Sequence, residues 1–386
     1  MAMASGGSNR TRLHDLLAVG QSPWYDTISR GILESGELKG LVDSGITGLT
    51  SNPTIFEKAL GTGSDYDKSL GKLLDSEPWA IFEALAVEDI QAAADLLRPV
   101  FDETEGRDGY VSIEVSPLLA ADTEGTVKEA RRLWKTVDRP NLLVKVPATQ
   151  EGIPAVATLL GEGINVNVTL IFALNTHEQV MDAYLEGLEA LDAAGKPVSK
   201  AASVASFFVS RVDTAVDKQL DAMMSSVGDG VHRERLAQLR GQAAISNAVR
   251  AYALFKKVFA GPRFAALAAK GARVQRPLWA STGTKDPAYS DIYYVDSLAG
   301  PDTVNTMPHQ TVVAFLDHGS IAPRLGELDW ANDVVEELST VGINLNQVTE
   351  QLLKEGVGSF SKSFETLVQG ITSKRDALKS RAGVKR

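Results

Sequence analysis

The chain has 386 residues, of which 44% are hydrophobic and 23% are charged, a balance typical of a globular protein with a sizeable core. Acidic residues outnumber basic ones by 49 to 39, and the net charge of -10 disfavours nucleic acid and anionic membranes as partners. Without cysteine there can be no disulfide, thiolate metal site or cysteine nucleophile. Because the N-terminus lacks an apolar signal core and no apolar run reaches membrane length, we expect a cytoplasmic protein.

Short β-type segments alternate with helical segments along the chain, which is the pattern of parallel strands joined by crossover helices. Eight strands are predicted, at residues 23–27, 48–52, 110–116, 141–148, 164–172, 203–209, 277–282 and 292–297. Eight is the strand number of a (β/α)8 TIM barrel. We therefore expect an α/β fold of this architecture with additional helices.

The barrel is predicted as a single domain over residues 13–373. Residues 1–12 are predicted to be disordered, and residues 374–386, with six basic side chains, are predicted to form a solvated basic tail. The interval 212–276 is too long for one crossover, and an apolar stripe within it indicates at least two helices. We expect this interval to be a helical elaboration of the barrel.

Side-chain parity predicts a lysine inside the barrel. Successive residues of a strand point to opposite faces, and one face of a barrel strand is the interior. In 141–148, Leu142, Val144 and Val146 form the apolar set that would pack on helices, whereas Lys145 has the opposite parity. Lys145 is therefore predicted to point inward.

The two neighbouring strands add polar residues to the same interior. Glu114 in 110–116 opposes an apolar set, as do Asn167 and Thr169 in 164–172. Glu114, Lys145 and Thr169 each fall in the later half of their strands, where TIM barrels place their active sites. Their position predicts one polar site on three adjacent strands.

A lysine and a carboxylate inside a barrel are typical of Schiff-base chemistry. Burying each costs several kcal/mol unless it is paired or neutralised. An amine taken out of water loses its preference for the charged form and attacks carbonyls, and a nearby carboxylate can move the proton. The alternative for Lys145 and Glu114 is a structural ion pair, and that for Asp26 and Asn52 is a helix cap.

Four segments resemble, in order, the signature strands of the transaldolase family. They are SNPTIF at 51–56, VSIEVSP at 111–117, LLVKVPAT at 142–149 and NVNVTLIF at 165–172. Asp26 and the segment SLAGPDTVNTMP at 297–308 also fit, so the resemblance covers nearly the whole chain and is closest to the longer bacterial subgroup.

The resemblance implies a class I aldolase type of barrel that acts in the pentose phosphate pathway. It implies transfer of a dihydroxyacetone unit from fructose 6-phosphate or sedoheptulose 7-phosphate to erythrose 4-phosphate or glyceraldehyde 3-phosphate. Lys145 would form the imine with C2 of the ketose, and Asp26 would take the proton of the C4 hydroxyl. Glu114 would assist dehydration through a water held by Thr169.

The resemblance also implies the residues that bind the substrate. Asn52 and Asn167 would bind its hydroxyls and the three-carbon fragment. The segment SFFVSR at 206–211 matches the sixth-strand element of the family, with Ser206, Phe208 and an arginine, Arg211, that meets the phosphate.

The chain departs from the family pattern after the seventh predicted strand. Many members carry A-S-F-R there, whereas this chain has Ala280 and Ser281 followed by Thr, Gly, Thr and then Lys285. Ser281 aligns, but the basic residue has moved and is a lysine. Lysine is a point charge and arginine a planar fork, so we expect Ser281 to bind the substrate and Lys285 to bind its phosphate with an altered geometry.

Two alternatives remain open beside the transferase. A related aldolase would hydrolyse the same imine and release free dihydroxyacetone; a C-terminal helix predicted at 359–369, which could cover the site against water, favours the transferase. The other alternative is a catalytically silent sugar-phosphate-binding barrel, against which the presence of Lys145, Glu114 and Asp26 argues. The histidines show no H-E-x-x-H spacing, and we expect neither a metal nor an organic cofactor. Sugar phosphates are the expected ligands, and the sequence leaves the oligomeric state open.

Overall fold

The computed structural model describes residues 10–61, 64–226 and 228–383, which form a closed barrel of eight parallel strands in sequential order. The predicted (β/α)8 architecture is confirmed. The strands are β1 (Gln21–Tyr25), β2 (Gly48–Leu49), β3 (Val111–Glu114), β4 (Leu142–Pro147), β5 (Val166–Ile171), β6 (Ser203–Phe208), β7 (Arg276–Ala280) and β8 (Thr303–Met307).

Helices surround the barrel and extend it on both sides. They are α1 (Leu13–Ala18), α2 (Arg30–Glu34), α3 (Glu37–Asp43), α4 (Pro53–Gly61), α5 (Asp67–Leu70), α6 (Pro78–Glu103), α7 (Thr123–Val137), α8 (Gly152–Glu162), α9 (Leu174–Ala193), α10 (Ser210–Ser226), α11 (Gly230–Leu239), α12 (Ala243–Phe259), α13 (Pro262–Ala268), α14 (Tyr293–Ser297), α15 (His309–His318), α16 (Leu328–Thr340) and α17 (Leu345–Gly383). In the described residues, none of these helices combines the length and the apolar character needed to cross a membrane.

The strand register places the polar interior side chains in one row. Glu114 on β3 pairs with Lys145 on β4, and Lys145 pairs with Asn167 on β5. Register partners in a parallel sheet point to the same face, so these three side chains share the barrel interior. Val144 and Val146, of opposite parity, are fully buried, as expected for side chains that pack under the helices.

A polar cluster fills the barrel at the N-terminal ends of the strands. The guanidinium of Arg276 donates to Ser22 Oγ at 2.6 Å and to Asp108 Oδ1 at 3.0 Å, and the Trp24 indole donates to the same carboxylate at 3.1 Å. A Cβ at Gly48 would lie 2.4 Å from the Trp24 ring, so the neighbouring strand needs glycine there.

The prediction of an eighth strand at 292–297 is wrong. That segment contains α14, and the strand that closes the barrel is β8. β8 has no alternating apolar pattern, and its polar side chains bond to distant residues: Thr303 Oγ1 accepts from Gln21 at 2.9 Å and Asn305 Oδ1 from Thr282 at 2.8 Å. On α14, the Tyr294 hydroxyl instead donates a hydrogen bond of 2.9 Å to Asp213 on α10.

The two chain ends differ in what the structure describes. Residues 1–9 of the predicted N-terminal segment lie outside the described residues, whereas Arg12 donates to the Gly319 carbonyl at 2.9 Å. The basic segment predicted as a solvated tail continues α17 as far as Gly383, and residues 384–386 lie outside the described part. Lys374 pairs with Asp67 at 2.8 Å, so acidic partners hold this end of the helix against the barrel.

The interval 212–276 contains helices, as the sequence predicts. It holds most of α10 and the whole of α11, α12 and α13 between β6 and β7. The stripe of apolar residues in α12 is buried, with Ile245 and Val249 fully inaccessible. This elaboration therefore packs on the barrel, between β6 and β7 in the chain.

Candidate active site

A cavity of about 540 Å³ lies at the C-terminal ends of the strands. Barrel enzymes build their sites at this end, from strand termini and the loops that follow them. Of the residues predicted from sequence, those on its wall are Asp26, Asn52, Lys145, Thr169, Ser206, Phe208, Arg211, Ser281 and Lys285. The structure thus brings together predicted residues from six of the eight strands or the segments that follow them.

Lys145 lies at the base of this cavity and is almost completely buried. Its Nζ donates a hydrogen bond of 2.9 Å to the Ser51 carbonyl and lies 3.2 Å from Glu114 Oε2. The two side chains are 6% and 5% exposed. A buried amine beside a buried carboxylate can hand its proton across this short distance, which leaves a neutral nucleophile.

Glu114 does not line the cavity but lies behind Lys145. Burial raises the pKa of Glu114, an effect opposed by Lys145 and increased by Asp26. Apart from the ion pair with Lys145, Glu114 Oε2 has no hydrogen bond within the described residues, and the buried Thr169 Oγ1 has none either. Two such buried polar atoms beside the amine suit an ordered water.

The backbone is irregular next to Thr169. The register between β5 and β6 shifts between Val168 and Ile171, and Leu170 has a φ of 60°, in the left-handed region. Such bulges redirect side chains and are common beside active sites. Here the irregularity follows directly after Thr169, the side chain that faces Lys145 in the cavity.

Asp26 immediately follows β1 and faces the cavity from the opposite side. Its Oδ1 accepts a hydrogen bond of 2.6 Å from Thr50 Oγ1, which also lies 2.6 Å from Thr306 Oγ1. Burial raises the pKa of Asp26, whereas the positive charge of Lys145 and the bond from Thr50 lower it. A carboxylate of raised pKa is a stronger base than one in water.

The two predicted asparagines have different surroundings. Asn52 caps α4, because its Oδ1 accepts from the Ile55 amide at 3.0 Å, yet it also lies on the cavity wall. Asn167 is fully buried and is not part of that wall. It donates to Ser112 Oγ at 3.1 Å and accepts from Ser206 Oγ at 2.7 Å, so it stands behind Ser206.

The two predicted phosphate-binding cations both line the cavity. Arg211, in the first turn of α10, lies over the Phe208 ring at 5.2 Å, and burial lowers its pKa while Asp26 opposes the shift. Lys285, on the segment after β7, is exposed and lines the same cavity. Neither makes a hydrogen bond or salt bridge to another described residue, so both are available to an anion.

Helix α17 covers part of the cavity. Phe360 lies on the cavity wall and is 4% exposed. Ser363, on the same helix, accepts a hydrogen bond of 2.9 Å from Thr54 Oγ1 on α4. The cover predicted at 359–369 is therefore the middle of a much longer helix. Its contact with α4 keeps an aromatic ring over the substrate space.

Sequence reasoning missed several residues of this site. Thr50 orients Asp26, Thr306 bonds to Thr50, and Phe360 covers the cavity. Thr50 shares the parity of Asn52, so strand alternation could have identified it. Thr306 lies in β8, which the apolar pattern does not reveal. Phe360 lies in the helix that the sequence predicts as a cover, but which of its side chains reaches the cavity depends on how α17 packs.

Comparison with known proteins identifies the family of the chain. The family model described as "Transaldolase/Fructose-6-phosphate aldolase" matches residues 23–371. A transaldolase of Trichodesmium erythraeum is 46% identical over 92% of this chain and 95% of its own length. Those of Saccharopolyspora erythraea and Thermobifida fusca are 48% and 49% identical, over 96% and 93% of this chain and 100% and 97% of theirs. A family model that matches most of the chain, together with relatives that are 46% to 49% identical over more than nine-tenths of it, shows that the chain belongs to the transaldolase/fructose-6-phosphate aldolase family.

Proposed function

We propose that this transaldolase-family enzyme forms its Schiff base on Lys145 and moves a dihydroxyacetone unit between sugar phosphates of the pentose phosphate pathway. The observation that carries the proposal is the pair of Lys145 and Glu114, buried 3.2 Å apart at the base of a cavity with Asp26 on the opposite wall. The donors are fructose 6-phosphate and sedoheptulose 7-phosphate. The acceptors are erythrose 4-phosphate and glyceraldehyde 3-phosphate.

The reaction begins at the amine. Lys145 first passes its proton to Glu114, and the neutral Nζ attacks C2 of fructose 6-phosphate while that proton moves to the C2 oxygen. Glu114, again a carboxylate, then takes a proton from the positively charged nitrogen, which gives the neutral carbinolamine. A water held between Glu114 and Thr169 Oγ1 then carries a proton to the C2 hydroxyl, which leaves as water and gives the protonated imine. The raised pKa of Glu114 suits this role, because a carboxyl group must hold a proton in order to return it.

Cleavage of the sugar follows from the opposite wall. Asp26 takes the proton of the C4 hydroxyl, the C3–C4 bond breaks, and its electron pair moves into the protonated imine to form an enamine on Lys145. Glyceraldehyde 3-phosphate leaves. With erythrose 4-phosphate the steps reverse: the enamine carbon attacks the aldehyde and Asp26 returns its proton to the new hydroxyl, so sedoheptulose 7-phosphate is formed after hydrolysis of the imine.

The remaining residues hold the substrate. Asn52 and Ser206 line the cavity and offer polar atoms to the sugar hydroxyls, and Asn167 orients Ser206 from behind. Arg211 and Lys285 bind the phosphate at the cavity mouth, and Ser281 lies beside them on the same wall. Because the chain as a whole is acidic, a local pair of cations is what an anionic substrate requires.

The decisive experiment is borohydride reduction in the presence of fructose 6-phosphate, followed by peptide mass mapping. We expect a reduced dihydroxyacetone adduct on Lys145, because it is the amine at the base of the cavity. Lys145→Met should retain the fold, since an apolar chain of similar length fills the space and the buried Glu114, left without its partner, can take up a proton; the variant should give no adduct. Labelling at a different lysine would refute the assignment.

A further inference from the structure

Two buried carboxylates on α10 take no part in the reaction described above. Asp213 is fully buried and Asp217 is 6% exposed, and they lie one turn apart on the helix whose first turn carries Arg211. Ionised groups without solvent are costly, so both need strong partners. Burial raises the pKa of Asp213 to about 7 and raises that of Asp217.

Asp213 joins three elements. Its Oδ1 accepts a hydrogen bond of 2.7 Å from the Ala244 amide at the start of α12, and its Oδ2 accepts one of 2.9 Å from the Tyr294 hydroxyl on α14. One carboxylate thus connects α10 both to the helical elaboration and to the segment between β7 and β8.

Asp217 repeats the arrangement one turn later. It accepts from the Gly241 amide at 3.0 Å and from the Tyr289 hydroxyl at 2.8 Å. Gly241 has a φ of 71°, and a Cβ there would lie 2.8 Å from the Tyr289 ring, so glycine permits the close approach. The rings of Tyr289 and Tyr293 stack with centroids 5.7 Å apart.

The segment that these tyrosines anchor also carries Ser281 and Lys285. At its beginning, Ser281 Oγ lies 3.0 Å from Ser210 Oγ at the start of α10. In its middle, Asp286 accepts from Arg240 at 2.8 Å. Lys285 therefore lies between two contacts with α10. Ser281 contacts Ser210 before it, and Tyr289 donates to Asp217 after it.

We infer that Asp213 and Asp217 are positioning residues, which hold the segment of Lys285 against the helix of Arg211 and so set the spacing of the two phosphate-binding cations. The inference rests on the proposed phosphate role of those cations. A guanidinium is a planar fork that fixes the direction of its hydrogen bonds, whereas a lysine ammonium is a point charge on a flexible chain. Hydrogen bonds that hold the backbone segment of Lys285 in place therefore fix the position of its ammonium group.

The test removes one hydroxyl and leaves the cavity untouched. Tyr289→Phe deletes the bond to Asp217, and KM and kcat are measured with fructose 6-phosphate and with fructose, using glyceraldehyde as a common unphosphorylated acceptor. Tyr252→Phe is the matched control, because its hydroxyl donates to the Pro301 carbonyl at 3.1 Å, at the other end of the barrel. Lys285→Ala is measured beside them, and thermal melting confirms that each variant is folded.

We expect Tyr289→Phe to raise KM for fructose 6-phosphate by about 3 to 30-fold, because the hydrogen bond to the Asp217 carboxylate is lost. The kcat value, and both KM and kcat for fructose, should be nearly unchanged. Asp217→Asn, which keeps an acceptor oxygen, should be affected less than Asp217→Ala. If Tyr289→Phe behaves like Tyr252→Phe, or weakens both sugars equally, while Lys285→Ala raises KM for the phosphorylated sugar, the positioning role is overturned and the phosphate site stands. If Lys285→Ala leaves that KM unchanged, the phosphate assignment fails and the positioning role fails with it.

Discussion

Glu114 and Lys145 are register partners on adjacent strands, and their charged atoms lie 3.2 Å apart with both side chains almost fully buried. An ion pair in such surroundings gains little stability, because loss of hydration offsets the attraction between the charges. The buried polar atoms of Glu114 and Thr169, which lack other partners within the described chain, point to use rather than to structural support.

The two carboxylates of the site should fail at different steps. Asp26→Ala should still form the imine but cleave slowly, because the C4 hydroxyl has lost its base; losses of about 10² to 10⁴-fold are typical of general-base removal. Glu114→Ala should slow imine formation itself. Quenched-flow trapping with borohydride distinguishes the two variants, because a hexose adduct should accumulate only in the Asp26 variant. Equal accumulation in both would contradict the assignment of cleavage to Asp26 and imine formation to Glu114.

Removal of a cation at the cavity mouth should affect phosphorylated sugars selectively. Phosphate is bound in ground and transition states alike, so Arg211→Ala should raise KM for fructose 6-phosphate by about 10 to 150-fold and change kcat less. Lys285→Ala should act in the same direction but more weakly, since Lys285 is exposed. Steady-state kinetics with fructose should scarcely change.

The control for these variants is Lys257→Ala, which removes the same charge from an exposed position on α12, away from the cavity. It separates direct contact from the long-range attraction of an anion to the protein. Equal weakening of phosphorylated and unphosphorylated sugars by Arg211→Ala would make Arg211 a structural residue.

Opening the cover over the cavity should expose the imine to water. Phe360→Ala removes a buried ring from α17, and we expect several-fold more free dihydroxyacetone in the absence of an acceptor. Coupled assay of dihydroxyacetone release checks this. Phe364→Ala is the control, because that ring lies one turn later, packs on Phe82 at 5.8 Å and does not line the cavity. The same release from both variants would show that loosening of α17, and not the Phe360 ring, is responsible.

Asp213 should make stability depend on pH. Its pKa is raised from 3.8 to about 7, so the folded state binds this proton more tightly than the unfolded state does. The contribution of Asp213 to the free energy of unfolding therefore falls as pH rises from about 4 to about 7 and is constant outside that window. The groups that face it are Asp217, the three tyrosines Tyr289, Tyr293 and Tyr294, and the amides of Ala243 and Ala244.

Asp213→Asn isolates this contribution, because other carboxyl groups of raised pKa remain in both proteins. The melting temperature of the unchanged protein, relative to that of Asp213→Asn, should fall as pH rises from about 4 to about 7 and should be constant above about pH 7. Parallel stability profiles over this range would contradict the raised pKa.

The sequence by itself determined the row of interior side chains. Strand alternation is a local property of the backbone, so the apolar set of Val144 and Val146 was enough to place Lys145 on the inner face. The same reasoning placed Glu114 and Thr169, and the order of the four signature segments identified the family. No long-range contact enters these steps, which is why they could be predicted.

The tertiary structure alone decided which segment closes the barrel and how its mouth is arranged. β8 has polar side chains on both faces, and Gln21, Thr50 and Thr282 bond to them from elsewhere in the chain. The segment at 292–297 has strand-like composition but turns into α14, where the Tyr294 hydroxyl bonds to Asp213. Hydrogen bonds between residues far apart in sequence outweigh local pattern at these points, because a buried polar group must find its partner wherever the fold supplies one.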